Sequence, residues 1–544
     1  MNKVGLFLCL IVFAVSCAKI VSPSGGPVDK IPPKLVRSVP EANSVNFSKG
    51  DITLYFDEYV ELDDIQNKLL VSPPLKKNPE VKAYLKTVKV SGLDSLRENT
   101  TYILDFSDAI KDFNEGNRMR RFSYAFSTGD FIDSLIYEGR VVDAFSLKGV
   151  PNRYVVLYEN ADTAYIRKNI PDYITRSDSS GFFSFSNLSD GTYRILIFED
   201  KNQNRIYDLP TEGIGFSNRP VRPYLKDSLS AERMKDNLFS YSDYEDTTQK
   251  LSGSRIMSDG RAVVAFAHGL GRECTVEVKV PSADDVLVCH SANRDTLTIW
   301  RKGTAVMDSL EMEVRDGEFV ERVSLYDSPS GRNREMKTFD FRPVVKDTSD
   351  FFKPYEIESS VPVLSERIPA VMIDGEDTAE VFFVATGDAM RFRLETDLKQ
   401  GGRFELMIDS NVVESCRMQG NALFRHSFYR SKPEDYGELV ILLHDNSCLE
   451  TNRILYLSDE SGKVTDTVNG VRAEDRVVFR YLREGNYNLK MVMDDNGNGR
   501  WDKADFDLGR EAEKVLPMEK TLRVRRSWQS EETWEVGKSR MELH

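Results

Sequence analysis

Nearly every patterned stretch of this chain is a run of about four to eight residues, alternating apolar and polar or apolar throughout, closed off by Gly, Asp, Asn or Ser. ITLYFDE, TTYILDFSD, RYVVLYE, GFFSFSNL, TVEVKV, GELVILLHD and NRILYLSDE are examples. Side chains on a strand repeat every two residues, so such runs make strands and are too short for the apolar stripe of a helix. Helical spacing is confined to a short candidate at 229–237. Short strands turning over about every ten residues predict an all-β chain of tandem β-sandwiches. At 544 residues the chain exceeds one core and predicts roughly three to five domains.

One pattern is written twice. L-x-x-G-x-Y-x6-D-x-N-x-N-x3-D occurs at 188–208 and, with identical spacing, at 482–502. Upstream, PNRYVVLYE is echoed by TNRILYLSDE, and TTYILDFSDAIKDFNEGN by GRFELMIDSNVVESCRMQGN after a two-residue insertion. A pair of sandwiches is therefore used twice, at 34–225 and about 360–527, around a further β-domain. The expected plan is 34–130, 133–225, a linker at 226–250, then 251–345, 360–450 and 451–527, with a tail at 528–544. Reuse of a module points to spacing or multivalent display rather than chemistry.

Met1-Asn2-Lys3 and the apolar stretch at 4–15 are too short to span a bilayer and read as a secretory signal. Ala14-Val15-Ser16-Cys17 resembles a bacterial lipobox, which implies that Cys17 is acylated and begins the mature chain. The Pro-, Gly- and Ser-rich segment at 18–33 then reads as a tether. The expected partner is the outer membrane, through the lipid anchor. AKIVS after Cys17 lacks the run of acids that resembles a surface-export signal, so the periplasmic side is favoured.

Residues 34–130 resemble the bacterial Ig-like domain first described in S-layer proteins. The likeness rests on the Pro-rich entry, ITLYFDE, Tyr102–Phe106, the turn from Ile110 to Asn117, and the closing Y-x-F-x-T-G strand at Tyr124–Gly129. Residues 133–225 resemble the prealbumin-like, or carboxypeptidase-regulatory-like, sandwich through G-x-F-x-F and L-x-x-G-x-Y. Cys17 followed by PSGGPVDKIPPK and FDEYVEL is similar to Ig-like-domain lipoproteins of the Bacteroidetes.

Chemistry is sparse by comparison. The five His stand at 268, 290, 426, 444 and 544, with no H-E-x-x-H or Cys-x-x-Cys spacing, and there is no G-x-S-x-G elbow or phosphate-cradling loop. Asp57-Glu58 reads as an edge feature. A net charge of −14 with interspersed signs argues against nucleic acid. Counting from Asp494, Asn496 and Asn498 fall at positions 3 and 5, Gly499 at 6, Asp502 at 9 and Asp505 at 12, the order of donors in a calcium loop. The earlier copy, Asp200, Asn202, Asn204 and Asp208, has Arg205 at the Gly position and fits less well. The same residues also build hairpin turns, and the sequence leaves both readings open. Cys274 and Cys289 flank PSAD symmetrically, so a hairpin would set their thiols opposite each other for a disulfide. The alternative is two free thiols, and Cys416 with Cys448 is the weaker remaining pair. Trp300, Trp528 and Trp534 are read mostly as core. The expectation is a non-enzymatic, lipid-anchored envelope protein presenting a binding or assembly surface to a protein or glycan partner. The alternative is a carbohydrate-binding or glycan-processing accessory.

Overall fold

A computed structural model describes residues 29–159, 162–225, 237–326, 338–445 and 452–536. The described chain is built from β-strands, with short single-turn helices such as Ile65–Lys68 and Thr163–Ile166. The expected helical candidate falls almost wholly outside the described residues, as does Cys17. The strands form five sandwiches in two compact units. The first unit comprises 1–244 with 502–513, the second 245–501 with 514–544.

In the first unit, the first sandwich faces the sheet Leu35–Val39, Ile52–Phe56, Thr87–Ser91, Glu80–Tyr84 with the sheet Leu70–Ser72, Thr101–Ser107, Phe122–Ser127. Period two explains its core: Ile52, Leu54 and Phe56 point in from one sheet, and Tyr102, Leu104 and Phe106 from the other. The second sandwich pairs a three-stranded sheet, centred on Leu135–Asp143, with a four-stranded sheet containing Tyr154–Tyr158 and Arg194–Phe198. These last two strands read as unbroken apolar runs because both faces are covered. Val155, Leu157, Ile195 and Ile197 fill the sandwich interior. Val156, Tyr158, Leu196 and Phe198 pack outward with Ile166, Tyr207, Phe216 and Phe506.

In the second unit, the third sandwich spans Leu251–Ile256 to Phe319–Tyr326. The fourth is dominated by an eight-stranded sheet running from Phe341–Pro343 to Phe424–Arg430. It begins ahead of residue 360, because Phe339 and Phe341 are buried in its core. The fifth repeats the strand plan of the second. Gly437–Asp445 pairs antiparallel with Arg476–Leu482 and parallel with Gln529–Val536, as Leu135–Asp143 pairs with Phe182–Leu188 and Leu238–Tyr241. Leu439, Ile441, Leu443, Trp534 and Val536 share its core. The fifth sandwich therefore starts before 451 and uses part of the expected tail, while the second reaches into the expected linker.

Candidate functional site

Each repeated loop leaves the end of a core strand, Arg194–Phe198 or Gly485–Asp494. Asp200 accepts the N–H of Asn204 and Arg205 at 3.1 and 2.9 Å, and Asp494 those of Asn498 and Gly499 at 3.0 Å each. Asn202 and Asn496 both accept the N–H two residues on, at 3.3 and 3.0 Å. The two loops share one hydrogen-bonding scheme. It requires positive φ at the sixth position, 77° at Gly499 and 63° at Arg205, so the first copy holds a bulky residue where glycine costs nothing.

In the first copy Asn202 and Asn204 donate their side-chain amides to Asp208 at 3.0 and 2.6 Å. A further acid, Glu212, is buried and accepts the N–H of Lys201 at 3.0 Å. Burial holds Glu212 above the usual carboxylate range, and Asp200 and Asp208 add to the shift. Asp200 is also raised, by burial, against the N–H groups it accepts. Glu513 is the buried counterpart in the second copy and accepts the N–H of Asp502 at 3.0 Å. Sequence spacing misses this pair, because Glu212 follows Asp208 by four residues and Glu513 follows Asp502 by eleven. The recurring signal is a Glu two residues before the next strand, Ile214–Phe216 or Val515–Pro517.

The seven extra residues of the second copy carry Asp505, which lies in a turn of its own: its carboxylate accepts the N–H of Leu508 at 3.1 Å, and its N–H donates to Arg510 O at 2.7 Å. They also carry Phe506, buried edge-on against Tyr207 and Phe216 at ring distances of 5.5 and 5.3 Å. The Arg194 and Arg167 guanidinium groups lie 5.2 and 5.8 Å from the Phe506 ring centre, and Arg167 donates to Asp507 at 2.7 Å. Among the described residues no three carboxylate, imidazole or thiol side chains converge as a metal cluster.

The expected Cys274 to Cys289 hairpin does not form. Thr275–Val280 pairs with Ser309–Asp316, whereas Val286–His290 pairs with Thr296–Arg301 in the opposite sheet. PSAD is a crossover between sheets rather than a hairpin turn, so nothing sets the two thiols opposite each other, and both are free. Cys289 instead shares a core with Trp300 and the free, buried Cys416. Burial pushes these thiols up to about 12 and about 11, respectively. Cys448 lies outside the described residues. Trp300 and Trp534 are buried and Trp528 is exposed.

A groove of about 780 Å³ lies where the first sandwich meets the second. Ser72, Ile103, Asp105 and Ser123 line one wall, and Thr175, Arg176, Asp178 and Ser184 the other. Ser72 fixes the junction by accepting the N–H of Ile174 at 3.1 Å. Burial raises Asp105, while the N–H of Ser107 and the charge of Arg176 oppose the shift. Asp178 accepts the N–H of Ser180 and Phe182 and is lowered, since these bonds and Arg121 outweigh its burial.

Residues 29–128 match the family model of a bacterial Ig-like domain, and residues 154–235 that of an uncharacterized protein conserved in bacteria (DUF2141). None of the curated proteins matches the chain. Among solved structures, the S-layer protein rSbsC(31-844) is 11% identical over 90% of this chain and 67% of that chain, with a TM-score of 0.14. The Bacillus anthracis TIE protein is 9% identical over 94% and 76%, also at 0.14. A variant of the major pilin subunit of Bacillus cereus is 8% identical over 74% and 98%, again at 0.14.

Proposed function

We propose that this chain is a non-catalytic, lipid-anchored envelope protein whose sandwiches hold a binding or assembly surface away from the outer membrane, on its periplasmic side. The observation that carries this reading is the second use of one sandwich plan, with the same central pairings, in the second and fifth sandwiches. Repetition of a fold with its loops intact extends reach and multiplies contacts without assembling a reaction centre. The bacterial Ig-like match, together with Cys17 and the PSGGP tether, supports membership among Ig-like-domain lipoproteins of the Bacteroidetes type. Several acyl chains on Cys17 would anchor far more firmly than one myristoyl group. Calcium, which takes amide and main-chain oxygens as well as carboxylates, would draw on Asp200, Asn202, Asn204 and Asp208 in one loop and Asp494, Asn496, Asn498 and Asp502 in the other. Cell fractionation tests the anchor: the natural chain sediments with membranes and Cys17→Ala becomes soluble in the envelope. Membrane retention of Cys17→Ala would refute it.

A further inference from the structure

One end of the first sandwich gathers large apolar side chains at its surface. The N–H of Phe113 donates to Tyr59 O and that of Val60 to Leu85 O, each at 3.0 Å, so three loops meet there. Tyr59, Tyr84, Leu85 and Phe113 are each between 50% and 75% exposed. The sandwich core does not need them, since Phe56, Val60 and Ile110 already close it from within. Large exposed apolar side chains gathered on adjoining loops mark a contact.

The chain enters at this same end. Asn117 donates its side-chain amide to Asp29 O at 3.0 Å, and the N–H of Lys34 donates to Asp57 at 2.8 Å. Exposed Ile31 lies between these two anchor points. Eleven residues lie between Cys17 and Asp29. For eleven residues, the root-mean-square span of a Gly- and Ser-containing sequence is about 20 Å.

Resting on the anchor reading above, we propose that this end of the first sandwich lies on the lipid surface, with Tyr59, Tyr84, Leu85 and Phe113 in the headgroup region. Aromatic rings with one wet edge suit that layer, and the tether keeps the patch near it. Asp29, Asp57, Asp112 and Glu115 lie close enough to Glu58 to act on its charge, while the Lys86 ammonium sits 5.6 Å from the Tyr59 ring centre. These carboxylates repel anionic headgroups, which favours a zwitterionic surface over an anionic one.

The test places the full lipidated chain in phosphatidylcholine vesicles that carry a photoactivatable phospholipid, floats them, and maps the cross-links by mass spectrometry. Labelling of the peptides containing Tyr59, Tyr84-Leu85 and Phe113 is expected several-fold above that of Tyr326 and Trp528, exposed aromatics elsewhere in the chain. Tyr59→Ser with Phe113→Ser should bring the Tyr84-Leu85 peptide down to the level of those controls, and exchange into mostly phosphatidylglycerol should lower the labelling. A chain that floats with no excess label at the patch overturns the contact and leaves the anchor standing. A chain that does not float overturns both.

Discussion

Asp445 and Arg453 are both buried and bonded to each other at 2.7 and 2.6 Å, one at the end of the first strand of the fifth sandwich and the other at the start of its second. Removing one member of a buried pair leaves the other charge desolvated and costs about 3–5 kcal/mol. Asp445→Ala is predicted to destabilise the fifth sandwich by that amount, read by hydrogen exchange of its strands; a loss within experimental error would show the pair to be incidental. Asp112 acts differently. Burial raises its carboxyl, but the N–H groups of Glu115, Asn117 and Gly116, together with the Asn117 side chain, outweigh burial and hold it below 3.8. A depressed carboxyl contributes stability that is present above 3.8 and lost as pH falls through the folded value. Asp112→Asn is therefore predicted to flatten the acid limb of the first sandwich's stability profile, and an unchanged limb in acid denaturation would contradict that. Calcium at the loops predicts that millimolar calcium raises the melting temperature of the full chain by mass action and that Asp494→Ala with Asp502→Ala lowers the rise. No rise in the natural chain leaves both loops as turns.

The segment carrying Phe506 shows how an element can escape sequence reading. Fixed spacing aligns the two loops up to Asp502 and then assigns Asp505 a ligand position, whereas the seven-residue insertion gives Asp505 its own turn and buries Phe506 on the second sandwich. Nothing local distinguishes DFD as a buried segment, because its partners Tyr207, Phe216 and Arg167 lie roughly three hundred residues earlier in the chain. Phe506→Ala is predicted to cost about 3–5 kcal/mol, the range for truncating a buried Phe. Hydrogen exchange should show the loss at Arg194–Phe198 and Ile214–Phe216, and unchanged protection there would contradict the packing. The PSAD crossover fails for a related reason. Two alternating runs around a short turn look like a hairpin, but alternation fixes only which face of a strand is buried, so the sheet each strand joins stays open.

Across the whole molecule the β-sandwich plan is legible because period-two burial is local, as in Ile52, Leu54 and Phe56, and because 188–208 and 482–502 share one loop scheme. The limits of each sandwich are less so. Strands such as Leu238–Tyr241 and Gln529–Val536 close their sheets by parallel pairing across long connections, which leaves no turn signal beside them. Glu212 stands one place past position 12 of the first loop, but unequal spacing conceals that buried Glu513 is its counterpart, and Cys289 and Cys416 meet in one core only through tertiary packing. In the proposed reading, a string of sandwiches is tethered at a lipid-bearing Cys17. Intact-mass analysis of the chain purified from its native envelope tests this most directly. The predicted result is a mature chain that begins at Cys17 and carries the added mass of a diacylglycerol-based anchor. A chain retaining residues 1–16, or one that begins at Cys17 without acyl chains, would contradict it.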